Sequence, residues 1–459
     1  MAKAGKANDW LRTTLVCGAT MLSAVWVSCS GSQTQTGQGG LLRHPTGQPS
    51  LPARCDKVAS TSGSDSNPGT RAAPYRTVQH LADSLSPGQT GCLRAGFFDS
   101  DQQIKVTGPG ITLTSYPGEL ATVKGRWWIA RGADGVTVSD LNLDGRSTEG
   151  RGIGPVINAA NTTFNNDDVT NYHTEICFLL GSDSYGRASG TVIENSRIHD
   201  CGVLPAKNGD HGIYIEASDN AVIRNNWIYD NADRGIQLYP DAQGTQIYGN
   251  VIDGNGEGVI FSSGDNNASS NNVIEHNVIS NSNQRWNVES YWGTGPVGTG
   301  NVARDNCLFA TNSDRYYNQD GGVEVDESDS ERGFAAYGNL VADPQFVNRE
   351  AKDFRLKSGV CASLLAGAIV TLTPRSNNVV SGRPVTLHGQ VSPPNGTRVT
   401  IQILRHGHWR KFATTRLRPS GKFALHRSLR VRRRTLRARL RAMVPNVGTS
   451  RPVTLRVHS

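Results

Sequence analysis

Six residues in the middle of the chain have types and spacings that could do chemistry: Lys207, Asp210, His211, Asp233, Arg234 and Glu257. His211, Arg234 and Glu257 are separated by two equal steps of 23 residues, and each opens a similar segment: HGIYIE, RGIQLY and EGVIFS. Short strands repeating at constant spacing stack, about 4.8 Å apart, so these side chains form one column. A His–Arg–Glu column suits chemistry on an acidic sugar. Cleaving a uronate by elimination needs a base for the proton next to the carboxylate and a cation for the developing enolate. Lys207 or His211 fits the base and Arg234 the carboxylate clamp. Asp210 and Asp233 could hold calcium (Ca2+), which prefers several carboxylate oxygens. Tyr214 and Tyr239 could stack on sugar rings or protonate the leaving oxygen, with Gln237 and Glu257 as further substrate contacts. Glu216 and Glu257 also leave open hydrolysis by paired carboxylates. The same column reads equally as a surface salt-bridge ladder of little energetic weight. A second region, Trp286 to Gly293, offers Trp286 or Trp292 as an exposed platform for saccharide rings or as core packing. Trp127 and Trp128 pose the same alternative and lean to packing, and His173 and Glu175 extend the face weakly.

Strands must position these groups. Alternation places Ile213, Ile215, Ile236, Leu238, Val259 and Phe261 inside. His211, Arg234 and Glu257 then form one outward column, and Tyr214, Gln237 and Ile260 another, with Thr174 and Cys177 continuing them one rung away. A second strand recurs from Val136 (VTVSDLNLDG) through Thr162, Thr191, Ala221 (AVIRNNWIYD), Thr245 and Asn272 to Asn301, at steps of 26, 29, 30, 24, 27 and 29 residues. It sets Val192, Val222 and Ile247 in a common register. Asn226, Asn250, Asn277 and Asn306 follow it; Asn tolerates a left-handed bend and can bond to the next rung. Ahead of the repeats, Tyr75, Val78, Leu81, Ala82 and Leu85 have helical spacing after Pro74. That pattern predicts an amphipathic helix capping the first rung, which would otherwise expose an unpaired edge.

The repeats, with the preceding GT, APYRT and PG pattern of residues 63–98, resemble the right-handed parallel β-helix superfamily that includes polysaccharide lyases, epimerases and hydrolases. The resemblance implies an all-β solenoid. No catalytic signature of pectate lyases, alginate epimerases or polygalacturonases is present. DPQF at Asp343 and DFRL at Asp353 resemble the closing segment after such helices, which implies a C-terminal cap. From about Gly367, short alternating strands with Pro/Gly turns read as a small immunoglobulin-like β-sandwich, similar to accessory domains of exported bacterial enzymes.

Composition divides the chain in the same way. From Thr371 to Ser459 there are 19 Lys or Arg and no Asp or Glu; removing them from the overall +8 leaves about −11 for the rest. The strand LRARLR at Leu436, with Arg430, Arg432, Arg433 and Arg434, should attract polyanions such as teichoic acids and other cell-wall polymers, acidic polysaccharides or extracellular DNA. Basic residues that only solubilise the domain are the rival reading. No nucleic-acid-binding motif or aromatic interleaving is present. The N-terminus has a basic region, an apolar run from Leu15 to Val27 too short to span a bilayer, then small residues. These features mark a signal segment over 1–30. WVSC, ending at Cys29, resembles a bacterial lipoprotein box and implies a lipid anchor as the alternative. Six Cys follow, and an even count in an exported chain reads as disulfides. Sequence neighbours suggest Cys55–Cys92, Cys177–Cys201 and Cys307–Cys361, among 15 formal pairings. The expected organisation is a signal at 1–30, a flexible linker at 31–54, a β-helix with caps at 55–366 and a basic β-sandwich at 367–459. The leading expectation is an exported lyase of acidic polysaccharide. A non-catalytic glycan- or surface-binding scaffold and a polyuronate epimerase or glycoside hydrolase are the alternatives.

Overall fold

The structure, a computed structural model, describes residues 54–458 apart from 101–102, 147–152, 310–322, 326–331 and shorter runs at 338, 358, 366–368, 371, 393–397, 406–407, 430–434, 445–447 and 451–452. The expected signal segment, Cys29 and nearly all of the 31–54 linker lie outside the described residues.

Among the described residues, the repeats wind into three parallel sheets of ten, eleven and ten strands. Each coil visits them in turn. Sheet 1 contains Ile213–Asp219, Arg234–Gln243, Glu257–Ser262 and Val288–Tyr291; sheet 2 contains Val222–Arg224 and Gln246–Tyr248; sheet 3 contains Trp227–Tyr229 and Val251–Asp253. Strand alternation sends one side chain in two to the interior. The inward ladders are Ile213–Ile236–Val259–Val288, Ile193–Ile223–Ile247–Ile274 and Ile198–Ile228–Ile252–Ile279–Leu308. All are fully buried, and each such side chain is worth about 1.5–3 kcal/mol of transfer free energy. Val192 and Val222 pair instead with Gln246 on the outer side of sheet 2, so Ile247 belongs to the inner ladder one residue out of the expected register.

Asn226, Asn250, Asn277 and Asn306 form a buried amide ladder between sheets 2 and 3. Asn226 N–H and Nδ2 both donate to Asn250 Oδ1, at 2.9 and 3.0 Å, while Nδ2 also reaches Ile193 O at 2.9 Å. The same pattern continues to Asn277, Asn306 and Asn339. The left-handed bend falls one residue earlier, on Asn225, Gly249, His276 and Asp305. Bending and bonding are therefore divided between neighbours. The expected neighbour disulfides Cys55–Cys92, Cys177–Cys201 and Cys307–Cys361 are all formed.

Two terminal expectations are corrected. The N-terminal helical cap is not supported: the helix covers only Val78–Asp83, because Thr77 already accepts at its N-terminus from His80 and Tyr75 is bridged to Ala59 as strand. This short turn lies within the first coil, where Gln79 bonds the backbone N–H and C=O of Lys105. The closing segment does not stop the last rung either. Phe346–Asn348 and Asp353–Leu356 pair antiparallel, and Phe346 and Phe354 pack over an apolar outer column of sheet 3, Trp227–Val251–Val278–Cys307. Arg349 pairs with buried Asp253 at 2.7 Å. Four stacked apolar side chains facing outward need a cover, and this segment supplies it.

The C-terminal residues form antiparallel sheets around a separate core of Leu387, Val399, Ile401, Leu440 and Leu455. No helix among the described residues is long and apolar enough to cross a membrane.

Candidate functional site

The outer face of sheet 1 carries one continuous column: Lys105–Trp128–Val156–Leu179–Tyr214–Gln237–Ile260–Glu289. Beside it, His211, Arg234 and Glu257 are stacked as their spacing predicts, with Arg234 opposite Glu257. Strict alternation from Ile213 and Ile236 would have turned these three inward. Gly212, Gly235 and Gly258 reverse that. A Cβ on Gly235 would meet Ile252 Cγ2 at 2.8 Å, and one on Gly258 would meet Asn287 O at 2.1 Å and Ile279 Cγ2 at 2.5 Å. Glycine thus allows two successive residues to face the core, and the residue before it points out. Thr174 and Cys177 do not continue the columns; Leu179 stands in register with Tyr214, and Cys177 is buried in its disulfide.

The column is not an exposed surface. His211, Arg234 and Glu257 are 3%, 4% and 0% exposed. Asn208, from the segment before Asp210, accepts from Nη2 of both Arg234 and Arg285. Arg234 Nη1 lies 3.1 Å from Asp233 and Nε 3.0 Å from Glu257. Arg285 reaches Asp233 at 3.0 Å and Glu257 at 3.1 Å. Glu289 hydrogen-bonds Glu257. Three carboxyls thus face two guanidiniums in a largely buried cluster, and burial favours a proton on the surplus carboxyl. Burial and then the Glu257 charge push Glu289 up to about 9, and burial raises Glu257 as well. Burial first, and then Arg234 and Arg285, hold His211 well below its ordinary value, so its imidazole is neutral. Its ring meets the Tyr214 edge at 5.4 Å.

This network corrects several roles. Arg234 Nη1 and Nη2 are hydrogen-bonded to Asp233 and Asn208, and Nε has no hydrogen bond but lies within ion-pair distance of Glu257, so this guanidinium ties the network together and is not a free carboxylate clamp. Lys207 is exposed and its side chain makes no ion pair or hydrogen bond among the described residues; only its backbone N–H contacts Asp210 Oδ2, at 3.4 Å. Asp210 also accepts from Val203 N–H at 3.0 Å, and Asp233 is taken by the two arginines. Among the described residues no group of three or more His, Cys, Asp or Glu is arranged to hold a metal. Trp292 is 2% exposed, with Nε1 donating to Arg332 O at 3.3 Å, and belongs to the core instead of a saccharide platform. Trp286 is half-buried. His173 is tied to Gly202 O and Asp200, and Glu175 is buried.

Open space lies further along the same face. A cavity of about 430 Å3 is lined by Arg126, Trp128, Val156, Leu179, Tyr185 and Glu216, among others. Trp127 points into the core at 1% exposure, whereas Trp128 is half-buried on the outside. Asn158 holds the Trp128 indole N–H at 2.8 Å, and Lys105 lies 4.6 Å over its ring. Tyr185, 62% exposed, meets Trp128 edge-on at 5.7 Å. It stands on a turn closed by the Ser182–Gly186 bridge. Burial, and then the Asp183 charge, raise the Glu216 carboxyl above its usual range. Arg126 Nε is buried without a hydrogen-bond partner among the described residues. Tyr214 and Tyr239 stack at 6.3 Å and join this cavity to the buried network. Burial keeps the Tyr214 hydroxyl protonated far above neutrality.

Residues 130–341 match the family model described as a right handed beta helix region. That stretch is a right-handed parallel β-helix. No curated protein sequence matches the chain. Among solved structures it is similar to a pectate lyase, Pel9A, at 16% identity, covering 74% of this chain and 97% of that one with a TM-score of 0.43. It is similar to a rhamnogalacturonan lyase at 14% identity, with 67% and 93% covered and a TM-score of 0.43. XylC in complex with xylose aligns at 10% identity, with 87% and 100% covered and a TM-score of 0.42.

Glu289, Arg285, Arg126 and Tyr185 are the ones that sequence reasoning missed, whereas Glu216 was considered for hydrolysis and Trp128 leaned to packing. Glu289 follows core residue Val288 and so had to face outward, a signal present in the alternation. Trp128 carried the same signal beside Trp127. Arg126 and Tyr185 had none.

Proposed function

We propose that this chain is an exported, carbohydrate-active β-helix protein that cleaves an acidic polysaccharide along the outer face of sheet 1. The observation behind this reading is the cavity where an aromatic pair, Trp128 and Tyr185, meets a guanidinium, Arg126, and a carboxyl of raised proton affinity, Glu216. Aromatic faces suit sugar rings, and a guanidinium suits a uronate carboxylate through paired hydrogen bonds. In β-elimination Arg126 would hold that carboxylate as its α-carbon is deprotonated, and Glu216 would take the proton. The C4–O bond then breaks, leaving an unsaturated end, and a tyrosine hydroxyl such as Tyr214 protonates the departing oxygen. The three disulfides agree with an oxidising compartment. Glycoside hydrolysis is the second reading, favoured by the same raised Glu216 carboxyl acting as a general acid.

The test incubates the full chain with polygalacturonate, alginate, rhamnogalacturonan and neutral glycans, following both ultraviolet absorbance of unsaturated ends and reducing sugar. Elimination gives both signals, and hydrolysis gives reducing ends alone. Glu216→Gln should lower kcat at least about 100-fold, within the range a general acid or base contributes. Silence on every substrate, or full activity of the Glu216→Gln protein, overturns the reading.

A further inference from the structure

The C-terminal domain presents a second surface, and we infer that the outer face of its larger sheet docks an anionic polysaccharide chain. The sheet orders Asn378–Val380, Val453–His458, Thr435–Val444, Arg398–Arg405 and His408–Arg416. Alternation sends Ala438, Leu440, Leu455 and Val457 into the domain core. It sends Arg437, Arg439, Arg441 and Arg456 to the other face, the first, second and last of them exposed. Register adds to the charge: Arg437 stands opposite Arg456, and Arg441 opposite Gln402, which in turn faces Lys411. Like charges directly across a ladder are unfavourable. No residue between Thr371 and Ser459 is acidic, so the domain has no carboxylate side chain of its own to relieve them. An external polyanion does.

The details favour a glycan over a nucleic acid. Arg441 is fixed, its Nε donating to Gln402 Oε1 at 2.7 Å and its guanidinium 4.4 Å over the Trp409 ring. Trp409 is therefore already covered by a cation, and among the described residues this face offers no row of free aromatic rings for base stacking. Arg437, Arg439 and Arg441 recur every second residue, roughly 6.8 Å apart along the strand. That makes a row of cations along one strand for an extended chain that carries carboxylates. Arg430, Arg432, Arg433 and Arg434 lie outside the described residues.

This inference shares the acidic glycan with the cleavage site but needs none of its residues, so the two fail separately. The full chain should be retained in affinity electrophoresis through polygalacturonate and pass freely through a neutral glucan. Retention should fall steeply between 50 and 300 mM NaCl. The Arg437→Ser/Arg439→Ser/Arg456→Ser protein should bind polygalacturonate at least tenfold more weakly yet cleave short oligosaccharides as the parent does. Glu216→Gln should bind the polymer undiminished. The Arg437→Lys/Arg439→Lys/Arg456→Lys protein keeps the charge and should bind within about threefold, which guards against loss of folding in the serine variant. Equal retention by the neutral glucan, undiminished binding by the folded serine variant, or tighter binding to duplex DNA than to polygalacturonate overturns the proposal.

Discussion

Glu289 illustrates how a buried residue sets a pH dependence. Its carboxyl is held up to about 9, against an unfolded value of about 4.3. The folded state therefore binds a proton that the unfolded state releases, and this contribution is complete below the unfolded value and lost as pH rises through the folded one. Stability should fall between about pH 5 and 9. Glu289→Gln keeps the uncharged form at all pH, so its melting temperature should exceed the parent's at pH 8.5 by at least roughly 2–4 °C, about 1 kcal/mol for a domain of this size. At pH 5 the gap should close. A gap that stays constant with pH means that Glu289 is ionised within the network. Trp128 makes a contrasting case. It touches substrate in the proposed site without moving a proton, so Trp128→Ala should raise KM about tenfold and change kcat less. A fall confined to kcat places the sugar elsewhere.

At the scale of elements, the amide ladder is where the stack is fastened. Asn250 sits fully buried between Asn226 and Asn277, accepts from the rung before it and donates to the rung after it and to Ile223 O. Asn250→Ala strands the Asn226 and Ile223 backbone groups without water, at about 1–3 kcal/mol each. Urea unfolding of that variant should show a midpoint shift worth at least about 2 kcal/mol, and a shift under 0.5 kcal/mol means that water enters to replace the amide. This ladder, the inward isoleucines and the disulfide neighbours were legible in the sequence because they obey its period. The covering pieces were not. The network over His211, Arg234 and Glu257 is closed by Asn208 and Arg285, which are 77 residues apart, and no local pattern encodes that meeting. The segment around Phe354 reads as an end cap in the sequence for the same reason, although the apolar column Trp227–Val251–Val278 already announces that sheet 3 needs a cover. Candidate chemistry suffered most: regular spacing identifies side chains that stack, but loops decide which of them meet solvent.

For the whole molecule, a solenoid is held by contacts between adjacent coils, so its stability behaves as a sum of neighbour terms and its ends open first. The three disulfides are distributed along that axis. Cys55–Cys92 ties the first coil, Cys177–Cys201 closes a central one, and Cys307–Cys361 pins the covering segment to the last strands of sheet 3. Closing a loop of 54 residues removes about 4 kcal/mol of unfolded-chain entropy in the simple model. In a chain that opens by coils this benefit is local. Cys307→Ser/Cys361→Ser should therefore speed amide hydrogen exchange in Asn301–Arg304, Cys307–Phe309 and Asp353–Leu356 by at least tenfold, while Ile213–Asp219 and Arg234–Gln243 exchange as in the parent. The opposite pair, Cys55→Ser/Cys92→Ser, should loosen Lys57–Ala59 and Thr90–Leu93 and leave the same central strands protected. A uniform rise across all coils in either variant contradicts neighbour-by-neighbour opening and makes the β-helix a single cooperative unit. The proposed cleavage face spans the strands from Trp127–Ile129 to Ile213–Asp219, on the N-terminal side of the stack, so Cys307→Ser/Cys361→Ser should also keep its activity on short substrates at temperatures where the C-terminal end has already opened.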